Sequence, residues 1–477
     1  MTSKVPTAKE MRMADGARGW GLERRFVEFL AGGEFEAIPE DALGMVKNVV
    51  LNDLGAIIGG ATSDGCETVL ELVKGWGGKE EASILVHGGK APAYNAVLVN
   101  STMARALDID DHMPPGMHMG GSAVPAALAA AELAGGCTGR EFLAALASGF
   151  EMAIRINDAS TYNGFDPSGV CGMFASVAAA ARVLSLDPAQ MWSALALGFN
   201  RPIQTFQSIV DGTTAVRVGQ GLISQAALAS VQLAQSGITG PKNFLEGVYG
   251  YFHLYAGDEY DPQAITEGLG EAFHLDRFAF KNYPSCGGTI AGTDAILGLM
   301  ARHDLTPENV ARIDISVTPY IYDMTGGRFK IGVNPRVDAQ FSIQYCVASA
   351  LMRKEAVLRD FDEEYVRDPR IVDLVERIHV APDSALEGAR QGASLRADMT
   401  VATTTGDTHS ISIPIPSGFP GNPLSTERIA ELFQQAAHYG GRPIPEENLR
   451  RISNLVGRLE ESADVRELIP LMRSSLE

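Results

Sequence analysis

The chain has 477 residues, 45% of them hydrophobic, and a mean hydropathy of +0.02, enough to bury a large core in more than one domain. Its 39 Lys and Arg against 58 Asp and Glu leave a net charge of −19 and a pI near 5.0. That balance argues against nucleic acid and anionic membranes as partners, since both require a basic surface.

The opening segment, MTSKVPTAKEMRMADGARGWGLERRF, alternates basic and polar residues without an apolar core of signal-peptide length. It is expected to be a loose arm that does not direct export. From about Ile38 to Ala272 the apolar spacing is helical and Ala-rich, as in AVPAALAAAELAGG, FASVAAAARVLSL and GQGLISQAALASVQLAQSG. Small residues on all sides predict helices packed closely on helices, so residues 1–272 read as an all-helical domain. Gly135 and Gly136 are placed to end one helix and Thr138 to begin the next, with Glu141 in its first turn. The Ala-rich run from Ser122 to Ala134 is broken by Pro125 and Glu132, and no other stretch reads as a membrane span. A soluble, cytoplasmic protein is expected.

Beyond Lys281 the pattern changes. ARIDISVTPY alternates Ile313, Ile315 and Val317, the period of a half-buried strand. MTVATTTGDTHSISIPIP reads as a hairpin turning at Gly406-Asp407, with Ile411, Ile413 and Ile415 on one face. AQFSIQYCVASALMR and PRIVDLVERIH between them read as helices. Residues 273–416 are therefore predicted to be a smaller α+β domain, and 417–477, with Ser425 as N-cap and Glu427 in the first turn, to be helices packing back on the first domain. Cys66, Cys137, Cys171, Cys286 and Cys346 show no CxxC spacing; an odd number of scattered cysteines argues for reduced thiols rather than a disulfide framework.

The densest chemistry lies in ALDIDDHMPPGMHMGG, where Asp108, Asp110, Asp111, His112 and His118 crowd one loop between apolar helices. Carboxylates beside imidazoles supply acid-base groups or metal ligands. Without HExxH, DxDxDG or paired-cysteine spacing the metal reading is the weaker one. In FKNYPSCGGTIAGTDA, Lys281 and Tyr283 precede a turn opening a helix, so Cys286, Gly287 and Gly288 offer backbone N–H groups to an anion while Lys281 binds a carboxylate or acts as a base. Arg217 stands alone among small residues in DGTTAVRVGQG, and Arg336 lies with Arg328 and Lys330 near Tyr345; isolated arginines suit bidentate carboxylate binding, although for any single one a surface ion pair is the more common role.

Several segments in order, VVLNDLGAIIGG, LVNSTMARALDIDDH, VCGMFASVAAAARVLSLD, KNYPSCGGT, AQFSIQYCVASAL and GNPLS, resemble the MmgE/PrpD family across nearly the whole chain. The resemblance implies a large helical domain with a smaller lid domain inserted before C-terminal helices, no metal or organic cofactor, and a homodimer. Family activities include 2-methylcitrate dehydratase, cis-aconitate decarboxylase and iminodisuccinate epimerase. Its loop aspartate and histidine fall on Asp108 and His118 and its turn lysine on Lys281. Where the family has His, Lys, His, His and Thr, this chain has Asp166, Val216, Gly219, Ile290 and His112.

The function expected is proton abstraction beside a carboxylate of a small polycarboxylate, by a dehydratase- or decarboxylase-like lyase. An epimerase of an amino- or imino-dicarboxylate is the alternative, and a retired binding or scaffold protein the alternative of another class. His118 or Lys281 is the expected base, Asp108 the group orienting the histidine, and Tyr162 a second acid-base candidate. His112, Asp166, Arg217 and Tyr283 are expected on the substrate, with Cys286, Gly287, Gly288 and Arg336.

Overall fold

The structure, a computed structural model, describes residues 21–201, 204–388 and 394–476; most of the segment read as an N-terminal arm, residues 1–20, lies outside them. The end of that segment is not loose: Gly21–Gly32 forms helix α1 and buries Leu22, Phe26, Val27 and Leu30. Apolar side chains removed from water each contribute about 1.5–3 kcal/mol, which a short polar-looking sequence such as GLERRF conceals.

The helical unit continues with α2 (Glu40–Gly60), α3 (Cys66–Trp76), α4 (Ala93–Arg105), α5 (Gly120–Ala134), α6 (Gly139–Asp158), α7 (Gly172–Val183), α8 (Pro188–Phe199) and α9 (Ala215–Gln235). α9 lies along α4, and α7 along α5 and α6. Small residues permit this: a Cβ on Gly221 of α9 would sit 2.4 Å from the Leu98 carbonyl oxygen of α4. The unit is not purely helical, because β1 (Ala82–Ser83) and β2 (Lys90–Ala91) form a short antiparallel ribbon. Gly135, at φ +79°, closes α5, and Thr138 with Glu141 forms a reciprocal cap on α6. α2 is long and apolar enough to cross a membrane, contrary to the reading from the sequence; however, its apolar stretch is mostly buried against the other helices.

A second core is built on α10 (Gly287–Met300), β3 (Val310–Val317), α11 (Ile343–Arg353), β4 (Ile378–Pro382), β5 (Ala397–Thr403) and β6 (Thr408–Ile413). The strands lie in the order β4-β3-β5-β6, with β4 parallel to β3 and the other pairs antiparallel. Ile313, Ile315 and Val317 point inward together with Met399 and Val401, while the opposite face carries polar pairs such as Arg312–Asp314 and Thr400–Ser410.

Three local expectations are corrected. PRIVDLVERIH ends its helix at Val375, and Ile378 starts β4. Four residues, 404–407, connect β5 to β6, with Gly406 at φ +94° and Thr403 N–H donating to the Asp407 carbonyl. Ile415 falls beyond β6 and is exposed. After this unit α12 (Thr426–Tyr439), capped by the Ser425 hydroxyl, packs along α2, and α13 (Glu446–Gly457) follows it into the helical core. The fold is mainly α with a small α+β part.

Candidate active site

The loop 106–119 leaves the C-terminus of α4 and re-enters the fold at α5, and its Asp108 and Asp110 both turn onto the buried Arg105. Asp108 adopts φ +58°, a conformation Asp tolerates through its short polar side chain, and accepts from Arg105 of α4. Lys281 Nζ lies 2.8 Å from Asp108 Oδ1 and donates to the Asp108 carbonyl at 3.0 Å. Two backbone bonds between His112 and Ala279 join the loop to the strand-like segment carrying Lys281. Gln340 ties both to the second core, donating to the carbonyls of Leu107 and Pro284 while its own carbonyl accepts from the Cys286 N–H.

The result is a narrow cleft between the two units. The helical unit contributes Arg105, Asp108, His112, His118 and Asp166 to its wall, and the second core contributes Cys286, Gly287, Gly288, Tyr320 and Met324. His118 is held by its backbone, its N–H donating to Ser168 Oγ and its carbonyl accepting from Gln220. Its Nδ1 faces Asp110 Oδ2 at 3.2 Å, near enough for attraction but out of line for a hydrogen bond. Thus Asp110, rather than Asp108, is the carboxylate beside the histidine.

Charge in this buried site follows the pairing. Burial alone would raise Asp108, but Lys281, then Arg105 and His118, outweigh it and hold the carboxyl well below the usual range. Burial raises Asp110 too and is overcome by Arg105 and His118. His112 goes the other way: burial first, then its neighbours His118 and Lys281, lower it well below an ordinary histidine, so it stays neutral. Burial, with Asp108 next, pushes the Cys286 thiol up to about 11. A thiol held protonated is a poor nucleophile, so Cys286→Ser is expected to change turnover by less than about tenfold; loss of activity on that substitution, matched by thiol alkylation, would make the cysteine a nucleophile.

Not every residue singled out from the sequence reaches the cleft. Asp166 does, although its Oδ1 caps the short helix Pro167–Val170 by accepting from Ser168 N–H. Tyr162 packs its ring on Phe165, Phe206 and Tyr320 and is not a lining residue. Tyr283 donates to Asp294 Oδ1 at 2.9 Å and lines a different cavity, one that meets Lys281 from the other side. Arg336 is engaged by Asp362 and the Tyr439 hydroxyl, and Arg217 donates to the Asp64 carbonyl at 2.8 Å; neither lines the cleft. Long side chains are drawn to whichever acceptor the tertiary fold offers, which isolation in sequence does not reveal. The residue missed was Arg105, whose spacing of three and five from Asp108 and Asp110 was the available signal. Among the described residues no cluster has the makings of a metal site.

Two halves of the chain match the family models for the MmgE/PrpD N-terminal domain, over residues 24–263, and the MmgE/PrpD C-terminal domain, over residues 283–457. The chain belongs to the MmgE/PrpD family. Among curated proteins it is similar to the Aspergillus oryzae cis-aconitate decarboxylase-like protein oryM, at 23% identity over 92% of this chain and 94% of that one. It is also similar to the cis-aconitate decarboxylases of Homo sapiens, at 23% identity over 90% and 89% of the two chains, and of Mus musculus, at 21% over 94% and 92%.

Proposed function

We propose that this protein is a lyase that acts without a cofactor on a small polycarboxylate, moving a proton at the carbon beside a carboxylate. The observation carrying the reading is the placement of His118 and Lys281 in one cleft between the two cores, each against its own aspartate. Losing either a proton or carbon dioxide beside a carboxylate leaves a carbanion whose charge spreads into an enolate. A cation and N–H donors must meet that charge, and an imidazole can remove or return the proton.

The donors are limited. Arg105 and Lys281 are already matched by Asp108 and Asp110, so the −19 chain offers no surplus of positive charge here. Gly287 and Gly288 open the 14-residue α10, and the first N–H groups of a helix have no intrahelical acceptor. These are the groups suited to a substrate carboxylate. The names of the relatives support decarboxylation of an unsaturated tricarboxylate as the first case to test.

The test is incubation in deuterated water with a panel of small polycarboxylates that includes cis-aconitate. Solvent deuterium is expected at the carbon next to a carboxylate, together with carbon dioxide release for a decarboxylase or a new alkene absorbance for a dehydratase. Deuterium with inverted configuration and neither of those products would transfer the assignment to an epimerase. No exchange or elimination anywhere in the panel would overturn the proton-transfer chemistry in favour of a non-catalytic binding protein.

A further inference from the structure

One buried acidic residue takes no part in the cleft. Asp53 sits in the middle of α2 with no exposed surface, and neither of its carboxyl oxygens has a hydrogen-bond partner among the described residues. Asp111, equally buried, lies across from it and accepts from the N–H groups of Met119 and Gly121, at 3.1 and 3.2 Å. The gap between the two carboxyls is the missing side chain of Gly120: a Cβ there would meet Asp53 Oδ2 at 2.0 Å and Asp111 Oδ1 at 2.8 Å. Both oxygens therefore lie within about 4.8 Å of each other, the sum of those two distances.

Two fully buried carboxylates at that separation cannot both be ionised at modest cost. Neither carboxyl is in an ion pair with a cation among the described residues, and Arg105 is held by Asp108 and Asp110. The other charged groups acting on the pair are Asp110, which opposes ionisation, and His118, which acts on Asp111 alone. We propose that Asp53 and Asp111 share a single proton across Gly120, and that this acid–carboxylate pair is a positioning device that fixes His118 in the cleft.

The geometry connects the pair to the site. Asp111 grips the backbone on both sides of Gly120, at Met119 and Gly121, so it fixes the turn immediately after His118. One proton on the pair removes one of two negative charges from beside Asp110. Burial first, and the neighbouring carboxylates second, raise both groups, Asp111 to about 6 and Asp53 well above its ordinary value. The sign follows: a carboxyl raised in the folded state favours folding at low pH, and this contribution is lost as pH climbs from about 4, the unfolded value, through the folded values.

The sharing of the proton is independent of the reaction, whereas the positioning role rests on the function proposed above; the experiment reads them separately. Infrared spectra of the intact protein at neutral pH should show the C=O stretch of a protonated carboxylic acid that shifts in deuterated water and disappears in Asp53→Asn. Melting temperatures should show Asp53→Asn gaining on the wild type as pH rises from 4 to about 8. Should that variant fail to fold, Asp111→Asn should likewise gain on the wild type as pH rises, since it removes the second carboxyl of the pair. Absence of the band from the wild type, or a melting difference that does not vary with pH, would overturn the shared proton. For positioning, Asp53→Ala should lower kcat about tenfold with little change in KM, and Asp53→Asn, whose amide can donate as the acid does, should restore most of it. Equal losses in the two variants would leave Asp53 a packing residue and defeat the positioning role, whatever the spectra show.

Discussion

Replacing Lys281 with alanine is expected to lower turnover by about two to four orders of magnitude, the range for losing a group that handles the proton or the charge of the intermediate. It should also destabilise the fold. Lys281 and Asp108 are buried, 2.8 Å apart, and breaking a buried pair by removing one partner costs about 3–5 kcal/mol because the other charge is stranded. Arg105 remains beside Asp108, which places the expected loss at the lower end. Asp108 is held below its usual range, so its contribution is present above pH 4 or so and is lost as pH falls toward the folded value. In Lys281→Ala that acid-side loss should shrink. Adding Asp108→Asn to Lys281→Ala should recover part of the stability, and none of the turnover, since it removes the stranded charge without restoring the amine. Turnover of Lys281→Ala within tenfold of wild type would remove the lysine from the mechanism.

The burial of Lys281 illustrates what the sequence discloses and what it withholds. Local signals carried far: the cap at Thr138 and Glu141, the alternation of Ile313, Ile315 and Val317, and the crowding of Asp108 to His118 each depend on neighbours a few residues away. The gathering of Asp108, His112 and His118 at one cleft follows from the same closeness in the chain. Partner choice was not. Asp108 and Asp110 are two residues apart and chemically identical, and only the turn at Asp108, with φ +58°, decides that one meets Lys281 and the other His118. Tyr283, Arg217 and Arg336 were drawn to Asp294, Asp64 and Asp362, acceptors between 11 and 153 positions away in the chain. β4 was hidden because Ile378 and Val380 continue the apolar spacing of the helix before them, and a parallel partner leaves no hairpin signal. Asp53, the one acid beyond the first turn of an otherwise largely apolar helix, gives no hint in sequence of the carboxyl opposite it.

His118→Asn is expected to cost turnover about as much as the lysine change, two to four orders of magnitude, but with the melting temperature nearly unaltered. The difference lies in the contacts. His118 is anchored through its main chain to Ser168 and Gln220, which asparagine keeps, and its side chain meets Asp110 without an aligned hydrogen bond. Asparagine fills much of the same space and cannot accept and return a proton. His112 provides the control, because its ring lies 5.2 Å from that of His118 yet is kept neutral by burial; His112→Gln should therefore cost about tenfold or less. Solvent exchange then separates the two candidate carriers of the proton. If His118 carries it, deuterium no longer enters substrate or product in His118→Asn, while Lys281→Ala, slow as it is, still incorporates deuterium in whatever product it makes. Exchange that survives in His118→Asn and vanishes in Lys281→Ala would assign the proton to the lysine and leave the histidine as the group that binds and polarises the carboxylate.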